Sequence, residues 1–235
     1  MVQKNKTLHR VGAVLFTIAI LLGILVTFAK AWPDLESALY GFSKHGYRRL
    51  TSLHCPVLMT SRDSLPVTIR LTNPLDQNLT WYIRAQFSTT VEMTTQEQTL
   101  ELQPHENRTL AWEVNKDNVD LHNFILAYAF SSPFAGLGMT EGSCGTLVLN
   151  VPMQGGPSIY YASLAIAVVA GVFGFWLWLH HADMSEPAVV SQSWWMRFLA
   201  LLIVLGIVTS TMGWWIVAII LLVLTMLTLI VSLVS

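Results

Sequence analysis

Two kinds of hydrophobic patterning divide the chain. Long uncharged apolar runs occupy Val11–Ala29, Ser158–Leu179 and Phe198–Ser235. About 20 apolar residues cross a bilayer, so each of the first two runs predicts one membrane span. The third contains no Asp, Glu, Lys, Arg or His. As one helix it would extend about 60 Å, twice the hydrocarbon core. It is expected to fold back near Ser210-Thr211-Met212-Gly213, with Trp214 and Trp215 at the interface. Between the first and second runs the period falls to two. Pro66–Thr72, Gln98–Leu102 and Arg108–Val114 alternate, and Leu79–Thr90 is rich in aromatic and β-branched residues. Phe124–Phe130 and Gly145–Val151 are apolar strands, and turn signals such as Asn73-Pro74 and Pro104-His105-Glu106-Asn107 separate the runs. This pattern predicts six or seven short strands.

The expected fold class is a membrane protein combining α with all-β structure. An extracytoplasmic antiparallel β-sandwich of the immunoglobulin kind is inserted between transmembrane helix 1 and a C-terminal set of three transmembrane helices. The divisions are 1–31 (basic N-terminus and helix 1), 32–54 (connector), 55–152 (sandwich), 153–181 (Gly-Gly-Pro linker and helix 2), 182–197 (cytoplasmic loop) and 198–235 (helices 3 and 4). Helix 1 competes with a cleaved signal peptide, because Ala29-Lys30-Ala31 matches a cleavage pattern. Its apolar run exceeds the usual signal core, which favours an uncleaved anchor. In the connector, Leu35, Leu39 and Phe42 fall at helical spacing, predicting a short amphipathic helix beside the basic cluster Lys44, His45, Arg48 and Arg49.

The run Val67-Thr-Ile-Arg-Leu-Thr-Asn73, followed by Leu100-Glu-Leu-Gln-Pro104-His-Glu-Asn-Arg-Thr-Leu-Ala-Trp112, resembles the CARDB-type family of bacterial Ig-like domains. The family shows a valine-rich strand ending in Asn, then a Leu-x-Pro-Gly-Glu … Trp hairpin. Here Pro74 follows the Asn, and His105 stands where the family has Gly. The resemblance covers about half of the outer domain and none of the helices. It implies a fold and a bacterial source; function does not transfer with it.

Composition agrees with the pattern. Of 235 residues, 53% are hydrophobic and 11% charged, against about 25% charged in soluble domains. A net charge of −1 with no basic stripe argues against nucleic-acid binding. Lys4, Lys6 and Arg10 place the N-terminus inside by the positive-inside rule. Residues 32–157 are then extracytoplasmic, both termini cytoplasmic, and the location a bacterial plasma membrane.

Each candidate site has a plain structural alternative. Cys55 and Cys144, the only cysteines, are expected to form a disulfide outside the cell; two cysteines without a paired histidine motif make poor metal ligands. His180-His181 with Asp183 reads as an interfacial cluster, since adjacent histidines on a helix diverge. Asn78 and Asn107 head sequons but suit turns equally. Ser163, Ala167 and Gly171, with Gly174 nearby, form a small-residue stripe for helix packing, filled either by this chain's own spans or by a partner. Phe134, Leu137 and Met139 lie on a glycine-bearing loop, Ser131–Ser143, as a local core or a partner contact.

Neither a catalytic constellation nor a cofactor motif emerges, and the spans carry no charge suited to ion relay. The expected function is a non-catalytic accessory subunit of a larger membrane complex, its partners integral membrane subunits and the bilayer. A membrane-tethered receptor or adhesin for a glycan or peptide is the alternative. Geometry adds one expectation. Val151 ends the last strand close to helix 2, so Cys144, Cys55 and the 131–143 loop belong at the far pole, about 20 Å away. Phe134, Leu137 and Met139 would then face a partner rather than lipid.

Overall fold

The computed structural model describes residues 6–42, 46–121, 123–134, 138–181 and 187–234, the side chains of 187–192 and 232–234 excepted. The chain forms two compact units: Met1–Ala31 with Ser158–Ser235, and Trp32–Pro157. The class is α+β with candidate membrane helices.

Four helices build the first unit: α1 (Lys6–Leu39), α2 (Gly156–His181), α3 (Pro187–Thr211) and α4 (Trp215–Val234). Lys6–Leu39, Gly156–His181 and Ser193–Thr211 are long and apolar enough to cross a membrane, and Trp215–Val231 is a shorter apolar helix. The chain breaks between α3 and α4 at Met212–Trp214, where Gly213 takes φ +72°, a conformation only glycine adopts cheaply. Phe16, Ile20, Ile24, Trp178, Met196 and Leu199 form the buried core. Buried hydroxyls use their own helices. Thr27 donates to the Gly23 carbonyl at 2.9 Å, and Thr225 and Thr228 donate to Leu221 and Leu224 at 2.7 Å. Among the described residues, Trp178 Nε1 and the Tyr160 hydroxyl are exceptions, buried with no hydrogen-bond partner.

The second unit holds two sheets. The larger contains β1 (Arg48–Arg49), β3 (Leu58–Thr60), β5 (Leu79–Phe87), β6 (Thr94–Leu102), β8 (Val119–Asp120), β9 (Phe124–Pro133) and β10 (Thr140–Leu149). Its main path runs β1-β10-β9-β5-β6, with β3 also on β10 and β8 on β9. The smaller sheet is β2 (Leu53–His54), β4 (Leu65–Thr72) and β7 (Asn107–Val114), in the order β2-β4-β7. Alternation gives each sheet one apolar face. Val67, Ile69, Leu71 and Val114 from the smaller sheet share one core with Ile83, Ala85, Ile125, Ala127 and Val148 from the larger.

The pairing is mixed rather than wholly antiparallel: β1 and β3 both run parallel to β10. Residues 48–60 explain this. The chain starts on the edge of the larger sheet, crosses to the smaller as β2, and returns as β3. Cys55 lies on the return and is bonded to Cys144 on β10, with Cα atoms 5.9 Å apart. The bond thus fixes a strand segment that changes sheets.

Three expectations need correction. First, β9 runs on to Pro133 and β10 starts at Thr140, so the expected 131–143 loop shrinks to the connection between them. Ser131 and Thr140 are ladder partners whose hydroxyls hydrogen-bond at 2.7 Å. Second, Cys144 is mid-strand, not at a pole, and Cys55 is beside it. Third, the connector's helix is not separate. Trp32–Leu39 is the end of α1. Leu39 is 73% exposed, and Phe42 is buried beyond the helix.

The disulfide spans 89 residues. In the chain-entropy description such a loop stabilises by about 4–5 kcal/mol. Replacing both cysteines with serine should lower the unfolding free energy of the sheet unit by roughly that amount, measured by denaturant titration. An unchanged midpoint would contradict the assignment.

Candidate functional site

The end of α1 packs on the outer face of the larger sheet with polar residues inward. Asp34 and Ser37, three apart, share a helix face, and their exposures are only 6% and 0%. Asp34 Oδ1 accepts the Gly145 N–H at 3.0 Å, and Ser37 Oγ donates to the Ala127 carbonyl at 3.3 Å. The Tyr40 hydroxyl then donates to Asp120. Burial, with this bond and the carboxylate's charge, pushes the Tyr40 pKa up to about 12. Phe42 stacks on Tyr128 at 5.6 Å, and the Tyr128 hydroxyl donates to Glu141 at 2.6 Å.

Gly145 makes this docking possible. A Cβ there would stand 2.1 Å from the Pro33 carbonyl oxygen, far inside contact distance. Sequence reading passed over Asp34, Ser37, Tyr40 and Gly145, because each finds its partner 80 or more residues away.

The start of α2 is held in a similar way. Asp63 accepts the N–H groups of Gly155 and Gly156, both at 2.9 Å, and that of Thr60 at 2.8 Å. The carboxylate caps a helix whose first donors have no partners within it. Burial raises the Asp63 pKa, but the donated bonds from Gly155, Thr60 and Gly156 outweigh it, leaving the carboxyl below its ordinary value.

At the sheet end that carries the β4–β5, β6–β7 and β9–β10 connections, Asn73 is fully buried. Its amide donates to the carbonyls of Gln77, Leu102 and Gln103, tying two connections together. Asn78 donates to Glu101 at 2.9 Å, and Asn107 accepts from Thr72 at 2.5 Å. Phe134 (70% exposed) and Met139 (42% exposed) project at this end. Leu137 lies outside the described residues.

In the helical unit, the small-residue stripe meets α1 of the same chain. A Cβ on Gly174 would lie 2.6 Å from the Phe16 nitrogen, and one on Gly12 would lie 2.6 Å from the Trp178 nitrogen. The two backbones touch, as small residues allow. Ala167 and Gly171 line an apolar cleft of about 210 Å³ with Phe16, Ala19 and Ile203, and Ser163 is half-buried on the same helix. Sequence reading found Gly174 but not its counterpart Gly12.

The histidines diverge. His180 stacks on Trp176 at 5.5 Å, His181 Nδ1 lies 3.0 Å from the Leu177 carbonyl, and His9 packs against Trp178. Asp183, Lys44 and His45 lie outside the described residues. Among the described residues, no three His, Cys, Asp or Glu side chains converge as a metal site.

Two predictions follow from these contacts. Gly145→Val should destabilise the sheet unit by about 1–3 kcal/mol through overpacking, whereas Gly46→Val, in open space, tests the backbone alone by the same unfolding assay. The capping contribution of Asp63 is present above the ordinary carboxylate pKa. It is lost as pH falls through the lowered folded value. Thermal unfolding between pH 7 and pH 2 should therefore show a steeper acid loss in the unaltered protein than in Asp63→Asn. Equal slopes would contradict the capping role.

No family model matches this chain, and no curated protein matches it.

Proposed function

We propose that this chain is a non-catalytic accessory subunit of a larger membrane complex. Its helices dock among partner helices in the bilayer. Its sheet unit, an immunoglobulin-like sandwich, covers a partner's outer face. Residues 32–157 are extracytoplasmic and both termini cytoplasmic, in a plasma membrane of the bacterial type that the family resemblance implies. The Cys55–Cys144 bond supports an oxidising surround for the sheet unit.

One observation carries this reading: the backbone contact of α1 with α2 at Gly12 and Gly174. A tether needs one span and gains nothing from locked helices. A subunit that must present a fixed surface does gain from them. A second reading, a membrane-tethered binding module for a glycan or peptide, draws on exposed Phe134 and Met139; exposed apolar side chains on a connection suit recognition.

Gentle detergent extraction from native membranes, followed by native mass measurement, separates the two. The accessory role predicts a stoichiometric integral membrane partner, and Gly174→Val should release it by disturbing the helical surface. A partner-free chain would contradict that role. Loss of a soluble ligand in Phe134→Asp, with the membrane assembly unchanged, would favour the second reading.

A further inference from the structure

Strand β6 is a free sheet edge. It pairs with β5 over nine residues, Thr94–Leu102, and ends the sheet order. Sheet edges in monomeric proteins are normally blunted by Pro, Lys, a bulge or a covering segment. This one, Thr-Thr-Gln-Glu-Gln-Thr-Leu-Glu-Leu, has no Pro and no Lys, carries charge at Glu97 and Glu101, and keeps an unbroken register with β5. Positions 94–99 are exposed on both faces. Leu100 and Leu102 reach the core, but Gln96 and Gln98 on the same face overhang it, because the smaller sheet has only three strands.

The position of the edge also matters. The chain enters this unit where Pro33 meets Gly145 on β10, and leaves it where Gly156 meets Leu58 and Met59 on β3. Both connections lie at the β10–β3 side of the larger sheet. β6 ends the other side, beyond β9 and β5; the chain after α1 approaches it at Met93, where Gly41 lies beside the side chain just ahead of Thr94.

We propose that β6 is the docking edge for a second copy of this chain, pairing β6 with β6 antiparallel about a two-fold axis at Gln98. Charge selects this register. With the axis at Gln98, Glu97 faces the second copy's Thr99, Glu101 faces its Thr95, and Thr94 faces its Leu102, so all nine residues pair. Moving the axis to Thr99 sets Glu97 against Glu101, and moving it to Glu97 sets two copies of that carboxylate face to face. Like charges directly opposite are destabilising. On the axis, the two Gln98 amides meet and supply each other's donor and acceptor. The pairing also closes on itself, because a two-fold β6–β6 contact uses the same edge of both copies and leaves neither open for a third.

The test uses the full chain in detergent. Sedimentation of the unaltered protein should show a dimer. Under mild oxidation Gln98→Cys should form an interchain disulfide, while Gln96→Cys, which faces the second copy's Leu100, should not. Gln98→Lys and Gln98→Glu should each weaken dimerisation tenfold or more while keeping the intrachain disulfide and the strand content. Mixing those two variants should restore the dimer. A monomer at every concentration, a Gln98→Lys dimer as tight as the unaltered one, or equal cross-linking at positions 96 and 98 would each overturn the proposal.

Discussion

A buried carboxylate needs donors, and the strand at the centre of the sheet unit's pairing supplies one to Asp34. An uncompensated carboxylate away from water is costly. Here the Gly145 N–H meets it at 3.0 Å. That bond requires a residue without a side chain at position 145, since the Pro33 carbonyl occupies the place of a Cβ. It also requires β10 to offer one backbone donor away from the ladder. β10 is therefore the hub. It carries β9 on one side and β1 and β3 on the other, and it holds the disulfide one residue before Gly145.

The strands were legible where one face is buried and the other wet. Val67, Ile69 and Leu71 alternate with Thr68, Arg70 and Thr72, and the structure places them as that pattern says. Legibility failed where polar residues form the ladder. Ser131, Ser132 and Thr140–Ser143 read as loop, but the Ser131–Thr140 hydroxyl pair and the backbone ladder make them strand. It also failed for the connector. Period counting put Leu35, Leu39 and Phe42 on one apolar face; Phe42 is buried, but Leu39 is exposed, and Asp34 and Ser37 face the sheet. Hydrophobicity cannot show that a carboxylate is buried when its donor lies 111 residues away.

The candidate contact residues divide the same way. Gly171 and Gly174 were legible as a stripe because spacing alone defines one. That α1 of this chain fills it rests on Gly12, whose part no spacing rule shows. The aromatic and sulfur side chains of Phe134 and Met139 stood out because they are apolar on a connection, and they remain exposed at the sheet end anchored by Asn73. Asp63 was overlooked because a helix cap reaching from a turn 93 residues earlier leaves no local signature.

The docking of the α1 end on β10 is tested most directly by hydrogen exchange at the Gly145 amide. In the unaltered protein this N–H should exchange as slowly as core ladder amides such as Ala127. In Asp34→Ala its protection should fall while that of Ala127 persists. Exchange of Gly145 in the unaltered protein at the rate of an open loop would contradict the account.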